Sequence, residues 1–163
     1  MTGGSAPISM ELALAPTDEV RALVSELEAI LAAEYPPEQR HGLALEAIFQ
    51  PHIRFFVARL EGDAVGCGGV ALFDGFAELK RMYVREAVRG RGLAPALLAR
   101  LEAEAREAGL PVVRLETGTN QLAALRFYER EGFRRCAAFG DYTAMPPQAI
   151  ATSIFMEKPL GAD

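Results

Sequence analysis

Between Ile53 and Glu107 the hydrophobic period changes from that of strands to that of a helix, and this change restricts the fold more than any other feature. Ile53 to Leu60, Ala64 to Leu72 and Ala77 to Val84 are apolar, β-branched or aromatic runs. Glu61-Gly62-Asp63 and Asp74-Gly75 separate them, and both are hairpin turn signals. Three consecutive antiparallel strands follow. Gly66, Gly68 and Gly69 lie inside the middle run, where glycine marks a bulge or the close approach of another backbone. After Arg85 the spacing becomes helical. Leu93, Leu97, Leu98, Leu101, Ala105 and Ala108 share one face until Gly109 and Pro111 stop the helix. Val112 to Glu116 is then a strand parallel to the one before the helix, because a helical crossover returns the chain to the same end of the sheet.

The flanking elements are read from caps and breakers. Glu11 to Leu14 is a short first strand. Thr17 caps a helix whose apolar stripe, from Val20 to Leu31, runs to about Glu34. Pro36-Pro37 breaks it, and Glu38 to Phe49 is expected as a second, shorter helix. Asn120 is expected to cap a last helix carrying Leu122, Leu125 and Tyr128, ended by Gly132, with Phe133 to Phe139 and Ile150 to Met156 as closing strands. The expected class is α/β: a mixed, mostly antiparallel sheet of about seven strands flanked by about four helices. With 163 residues, 50% of them hydrophobic, the chain fits one domain. That domain is expected over residues 11–160, after a flexible N-terminus over residues 1–10.

Twenty-two Asp and Glu against 17 Lys and Arg give a net charge of -5, which argues against nucleic acid or an acidic membrane as partner. No apolar run approaches the roughly 20 residues of a membrane span, and the first ten residues lack the pattern of a secretory signal, so a cytoplasmic location is expected. Cys67 and Cys136 form neither a disulfide framework nor a metal quartet, and His41 and His52 lack metal-pair spacing. No metal is expected.

Chemistry concentrates in Ala77 to Ala99, where a strand leads through Arg89-Gly90-Arg91-Gly92 into the helix. A turn with two glycines before a helix presents backbone N–H groups at the positive end of the dipole, a cradle for an anion such as phosphate. Arg89 and Arg91 add charge. A Walker loop fails because Gly92 is followed by Leu93, and a dinucleotide fingerprint fails because Pro95 stands where its third glycine belongs. An arginine-glycine RNA-binding tract would be repeated. An ordinary strand-to-helix loop stays open as the alternative.

Arg89-Gly90-Arg91-Gly92-Leu93-Ala94 resembles the acetyl-CoA motif of the GNAT superfamily of N-acetyltransferases: Gln or Arg, two residues, Gly, one residue, Gly or Ala. Asn120 and Tyr128-Glu129-Arg130-Glu131-Gly132-Phe133 are similar to that family's later signature, and the element order agrees from about Glu11 to Leu160. Phe139-Gly140-Asp141-Tyr142 and the ending Ser153 to Leu160 resemble a bacterial subgroup of small-molecule N-acetyltransferases. The resemblance implies acetyl-CoA as co-substrate, a splay between the fourth and fifth strands that admits its pantetheine arm, and a homodimer. Met82, Tyr83 and Val84 would then offer backbone contacts, the amides of Arg89 to Ala94 would hold the pyrophosphate, and Asn120 would touch the arm.

It also implies Glu78 as the base that deprotonates the amine and Tyr128 as the acid that protonates the departing thiolate. Each has a plainer reading: Glu78 as an exposed strand carboxylate or a partner of Lys80 or Arg81, Tyr128 as a core residue, Asn120 as a helix cap. The acceptor would meet Tyr35 and the segment to His41, together with the segment Gly140 to Gln148. There Asp141 would attract a cationic amine and Tyr142 would cover it, or both are loop packing. The expected acceptor is a primary amine of a small molecule. A protein or peptide amine, or a non-catalytic acyl-CoA sensor, stays open.

Overall fold

Both turn signals close hairpins, and the strands they join lie at the centre of a seven-stranded sheet in the computed structural model, which describes residues 7–161. The elements in chain order are β1 (Ile8–Leu12), α1 (Asp18–Glu34), β2 (Ile53–Leu60), β3 (Asp63–Leu72), β4 (Ala77–Val84), α2 (Leu93–Glu107), β5 (Val112–Gly118), α3 (Leu122–Arg130), β6 (Arg134–Arg135) and β7 (Ser153–Pro159). Their order across the sheet is β1-β2-β3-β4-β5-β7-β6, antiparallel throughout except for the parallel pair β4–β5. The expected α/β class and mixed sheet are present.

Each face of the sheet carries its own core. Leu97, Leu98, Leu101 and Ala105 of α2, with Leu125 and Tyr128 of α3, cover Val70, Leu79, Val113 and Leu115 on one face. Val20, Leu23 and Val24 of α1 cover Phe55, Val57 and Cys67 on the other. Thr17 does cap α1, its Oγ1 accepting the Val20 N–H at 3.2 Å.

Four sequence expectations need correction. The first strand begins at Ile8, so Ile8 to Met10 pair with β2 instead of lying in a flexible terminus; residues 1–6 of that stretch lie outside the described residues. Glu38 to Phe49 forms two short 3₁₀ turns, Pro37–Gln39 and Glu46–Phe49, leaving three α-helices among the described residues. The chain between those turns is drawn against β4: the Arg81 guanidinium lies where a Cβ on Gly42 would stand, and Leu43 O accepts two hydrogen bonds from it. The strand expected over Phe133 to Phe139 shortens to Arg134–Arg135, because Phe139 leaves the sheet for an aromatic cluster with Phe76, Tyr142 and Phe155. Asn120 does not cap α3. Gln121 holds that position without a side-chain cap bond.

Glycine inside β3 answers to close approach. A Cβ on Gly66 would stand 2.8 Å from the Tyr83 backbone oxygen. Gly66→Ala must push β3 and β4 apart, and it should cost about 1–3 kcal/mol of unfolding free energy, read from urea denaturation with an unchanged m-value. Unaltered stability would show that the strands yield there freely.

Candidate active site

The site begins where β4 and β5 stop pairing. Their ladder holds only Ala77↔Val113 and Glu78↔Arg114, after which β5 continues along β7 while β4 continues along β3. Past Glu78 the open side of β4 has no strand partner. Arg85 N–H donates to Val65 O at 2.9 Å, so alternation turns the N–H and C=O of Val84 away from β3 and toward that open side, where Arg89 Nε donates to Val84 O at 3.0 Å.

A bulge accompanies the splay. The β3–β4 register slips between Cys67 and Gly69, and Arg81 has φ of 55°, a left-handed conformation that costs a non-glycine residue on the order of 1 kcal/mol or more. Arg81 is held there from α1 and the following loop. Its buried guanidinium ion-pairs with Glu28 and donates to Leu43 O from Nε and Nη2, at 3.0 and 2.8 Å. The extra residue resets the alternation, so that Leu79 and Met82 both pack on the α2–α3 side while Tyr83 packs on the α1 side.

Between the splayed strands runs a cleft of about 880 Å³, its open mouth included. It crosses the sheet. Leu79, Met82, Leu115, Ala124 and Tyr128 line it on the α2–α3 side, and Glu78, Lys80, Glu116, His41 and Tyr142 line it on the other. A roof closes this second side. Gln39 Nε2 donates to Gln148 O at 3.2 Å, Thr152 Oγ1 donates to Gln39 Oε1 at 3.2 Å, and His41 Nε2 lies 2.7 Å from Ala149 O. Tyr35 ties α1 to the end of β5: its hydroxyl accepts the Asn120 N–H at 2.9 Å and donates to Gln121 Oε1 at 3.2 Å. It crosses so near Gly118 that a Cβ there would overlap the phenol.

The polar groups are arranged with one oxygen to spare. Glu78 is 5% exposed, and its Oε2 accepts from the Tyr142 hydroxyl at 2.7 Å and lies 2.9 Å from Lys80 Nζ. The exposed-carboxylate reading is thereby overturned, and the Lys80 pairing is present. Among the described residues no hydrogen bond engages Oε1. Burial, then the adjacent Glu78 carboxylate, raises the Tyr142 phenol well above the usual range. Glu116 also faces the cleft. Burial raises its carboxyl, against the opposing effects of the Ser153 hydroxyl, which donates to it at 2.7 Å, and of His41 and Lys80. Burial alone raises the Tyr128 phenol.

At the other end, Gly90 and Gly92 have φ of 83° and 84°, the left-handed conformation that suits glycine, and a Cβ on either would meet only open space. Arg89 to Gly92 are exposed, Leu93 is buried and Ala94 half-buried, with α2 starting at Leu93. Such a turn leaves the first N–H groups of α2 free for an anion.

Of the residues singled out in the sequence, Glu78, Tyr128, Met82, Tyr35 and Tyr142 line one cleft, and Arg89 to Ala94 form the turn beyond it. Four stand apart. Tyr83 donates its hydroxyl to Glu26 at 3.0 Å, Val84 packs with Leu93, Asn120 is exposed with Nδ2 3.3 Å from Glu34, and Asp141 is exposed outside the lining. Sequence reasoning passed over Glu116. The signal was present, since Glu116 ends the predicted strand that runs parallel to β4, and ligands gather at the carboxyl ends of such strands where the connection changes direction.

Comparison with known proteins agrees with this geometry. The profile of the acetyltransferase (GNAT) family matches residues 22–133. A protein of Azospirillum brasilense named IAA acetyltransferase is 43% identical over 145 residues, covering 88% of this chain and 92% of its own. An aminoalkylphosphonate N-acetyltransferase of Salmonella typhimurium is 31% identical over 126 residues, covering 73% and 79%. Among solved structures, a Klebsiella pneumoniae protein described as an acyl-CoA N-acyltransferase superposes with a TM-score of 0.73 at 35% identity, covering 94% of this chain and 98% of its own. The chain belongs to the GNAT family and is an acetyl-CoA-dependent N-acetyltransferase.

The raised Glu116 carboxyl has a consequence for stability. A carboxyl with a higher pKa folded than unfolded contributes stability that is fully present below its unfolded pKa and is lost as pH rises through the folded one. Glu116→Gln keeps an acceptor for Ser153 and removes that loss, so the variant should gain on wild type as pH rises from about 4 to 8. Urea denaturation across this range reads the difference. A difference independent of pH would contradict the assignment.

Proposed function

We propose that this enzyme moves the acetyl group of acetyl-CoA to the primary amine of a small molecule, by direct attack in a ternary complex inside the cleft. The observation that carries this reading is that one cleft crosses the sheet, with a carboxylate oxygen free on the roofed side and a buried phenol on the α3 side. Thioester and amine can approach from opposite faces and meet between β4 and β5. The pinned roof favours a small acceptor over a polypeptide, which would need an open groove.

In this reading, the first N–H groups of α2 and the Arg89–Gly92 turn bind the pyrophosphate, and the open side of Met82 to Val84 binds the pantetheine amides. Acetyl-CoA supplies a thioester carbonyl that an amine attacks only in its uncharged form. Glu78 Oε1 takes the amine proton while Lys80 and Tyr142 hold its other oxygen. The amine nitrogen forms a bond to the carbonyl carbon, the carbon–sulfur bond breaks, Tyr128 gives its proton to the thiolate, and the second proton that nitrogen sheds in becoming an amide restores the phenol. Burial keeps the Tyr128 phenol protonated, so its proton is in place when negative charge develops on sulfur. Tyr35 and Tyr142 shape the acceptor side. Asp141 lies outside the lining and Asn120 is engaged with Glu34, so neither carries a step here. The reading takes the enzyme as cytoplasmic and homodimeric.

Free-CoA release measured against a panel of small amines and lysine peptides tests the reading; turnover confined to peptides would overturn it. With a working acceptor, Tyr128→Phe keeps the ring packing and deletes the proton donor. Its kcat should fall about 10²-fold while calorimetric affinity for acetyl-CoA holds. An unchanged kcat where chemistry limits turnover would return Tyr128 to a packing role.

A further inference from the structure

Besides His41, three basic side chains line the cleft: Arg40, Lys80 and Arg81. The fold neutralises two of them. Lys80 Nζ lies 2.9 Å from Glu78 Oε2, and Arg81 is ion-paired with Glu28 beside Leu43 O. Arg40 has no such arrangement. Its Nε is buried without a hydrogen-bond partner, and Arg40 enters none of the ion pairs found among the described residues. Glu28, the carboxylate in the adjoining hollow that Arg40 also lines, is already committed to Arg81.

A guanidinium donor shut away from water with no acceptor is costly, and an anion that reaches it offsets that cost. The planar fork of arginine matches a carboxylate or phosphonate. Glu78 and Glu116, in the same cleft, are groups to which an ammonium is drawn. A cleft with a free cation and a carboxylate pair is complementary to a zwitterion, whereas a simple alkylamine would leave Arg40 unpaired.

Resting on the reading that an amine acceptor enters this cleft, we propose that the acceptor also carries an acidic group, carboxylate or phosphonate, and that Arg40 binds it. Arg40 is then the specificity-determining residue of the acceptor side.

The test is steady-state turnover of ω-amino acids of increasing length, the matching aminoalkylphosphonates, and the corresponding methyl esters and alkylamines. For the best acidic acceptor, kcat/KM should exceed that of its uncharged counterpart by about 10- to 100-fold. Success of carboxylates alone or of phosphonates alone upholds the proposal and names the acid. Arg40→Gln should bring the ratio to within about threefold of one, through KM of the acidic acceptor and not through kcat. Arg40→Lys, which keeps the charge and loses the fork, should fall between. If Arg40→Gln does not fold, the wild-type ratio and the lysine variant decide. Alkylamines or esters that serve as well as the acids overturn this inference and leave the proposed function standing. Failure of every amine to release CoA overturns both.

Discussion

The parting of β4 and β5 after two residue pairs is the constraint on which the rest of the site depends. A sheet that gives up strand pairing leaves backbone donors and acceptors without partners, and something else must hold the strands apart. Here α1 braces both of them. Glu28 near its middle fixes Arg81 of β4, and Tyr35 at its C-terminal end is bonded to the chain just after β5. At Gly42 and Gly118 these two side chains occupy the space where a Cβ would stand.

The electrostatics follow from that opening. The bulge at Arg81 lets Leu79 and Met82 share the α2–α3 side, while Glu78 and Lys80 stay on the roofed side with Glu116. Glu78 is buried and bonded through one oxygen, to Tyr142 and Lys80, while the other oxygen has no hydrogen bond among the described residues. Strain at Arg81, the raised Glu116 carboxyl and the unpartnered Arg40 Nε all occur around one cleft. Local departures from optimal stability gather where a protein binds and reacts.

Local chemistry made much of the fold legible. The hairpins, α2 and the parallel β5 could be read because turn residues and hydrophobic period act within a few residues of one another. The segment from Pro37 to Phe49 could not, because its path is set by Arg81, about forty positions along the chain. Asn120 has the residue type of a helix cap, but its side chain reaches back to Glu34 of α1 and its backbone N–H to Tyr35, contacts no local signal could show. Glu78 and Tyr128 were singled out through family resemblance, and the structure brings both to one cleft. Arg40 lies in the stretch from Tyr35 to His41 expected to meet the acceptor, yet nothing in the sequence set it apart there, since a lone unpaired guanidinium becomes visible only when its neighbours' partners are known.

We propose that the open side of β4 receives the cofactor arm. Residue-resolved amide hydrogen exchange, with and without saturating CoA, tests it most directly. Exchange should slow at Met82 and Val84 and through Gly90 to Ala94, while β2 stays unchanged. CoA binding shown by calorimetry with no added protection at Met82 and Val84 would contradict it.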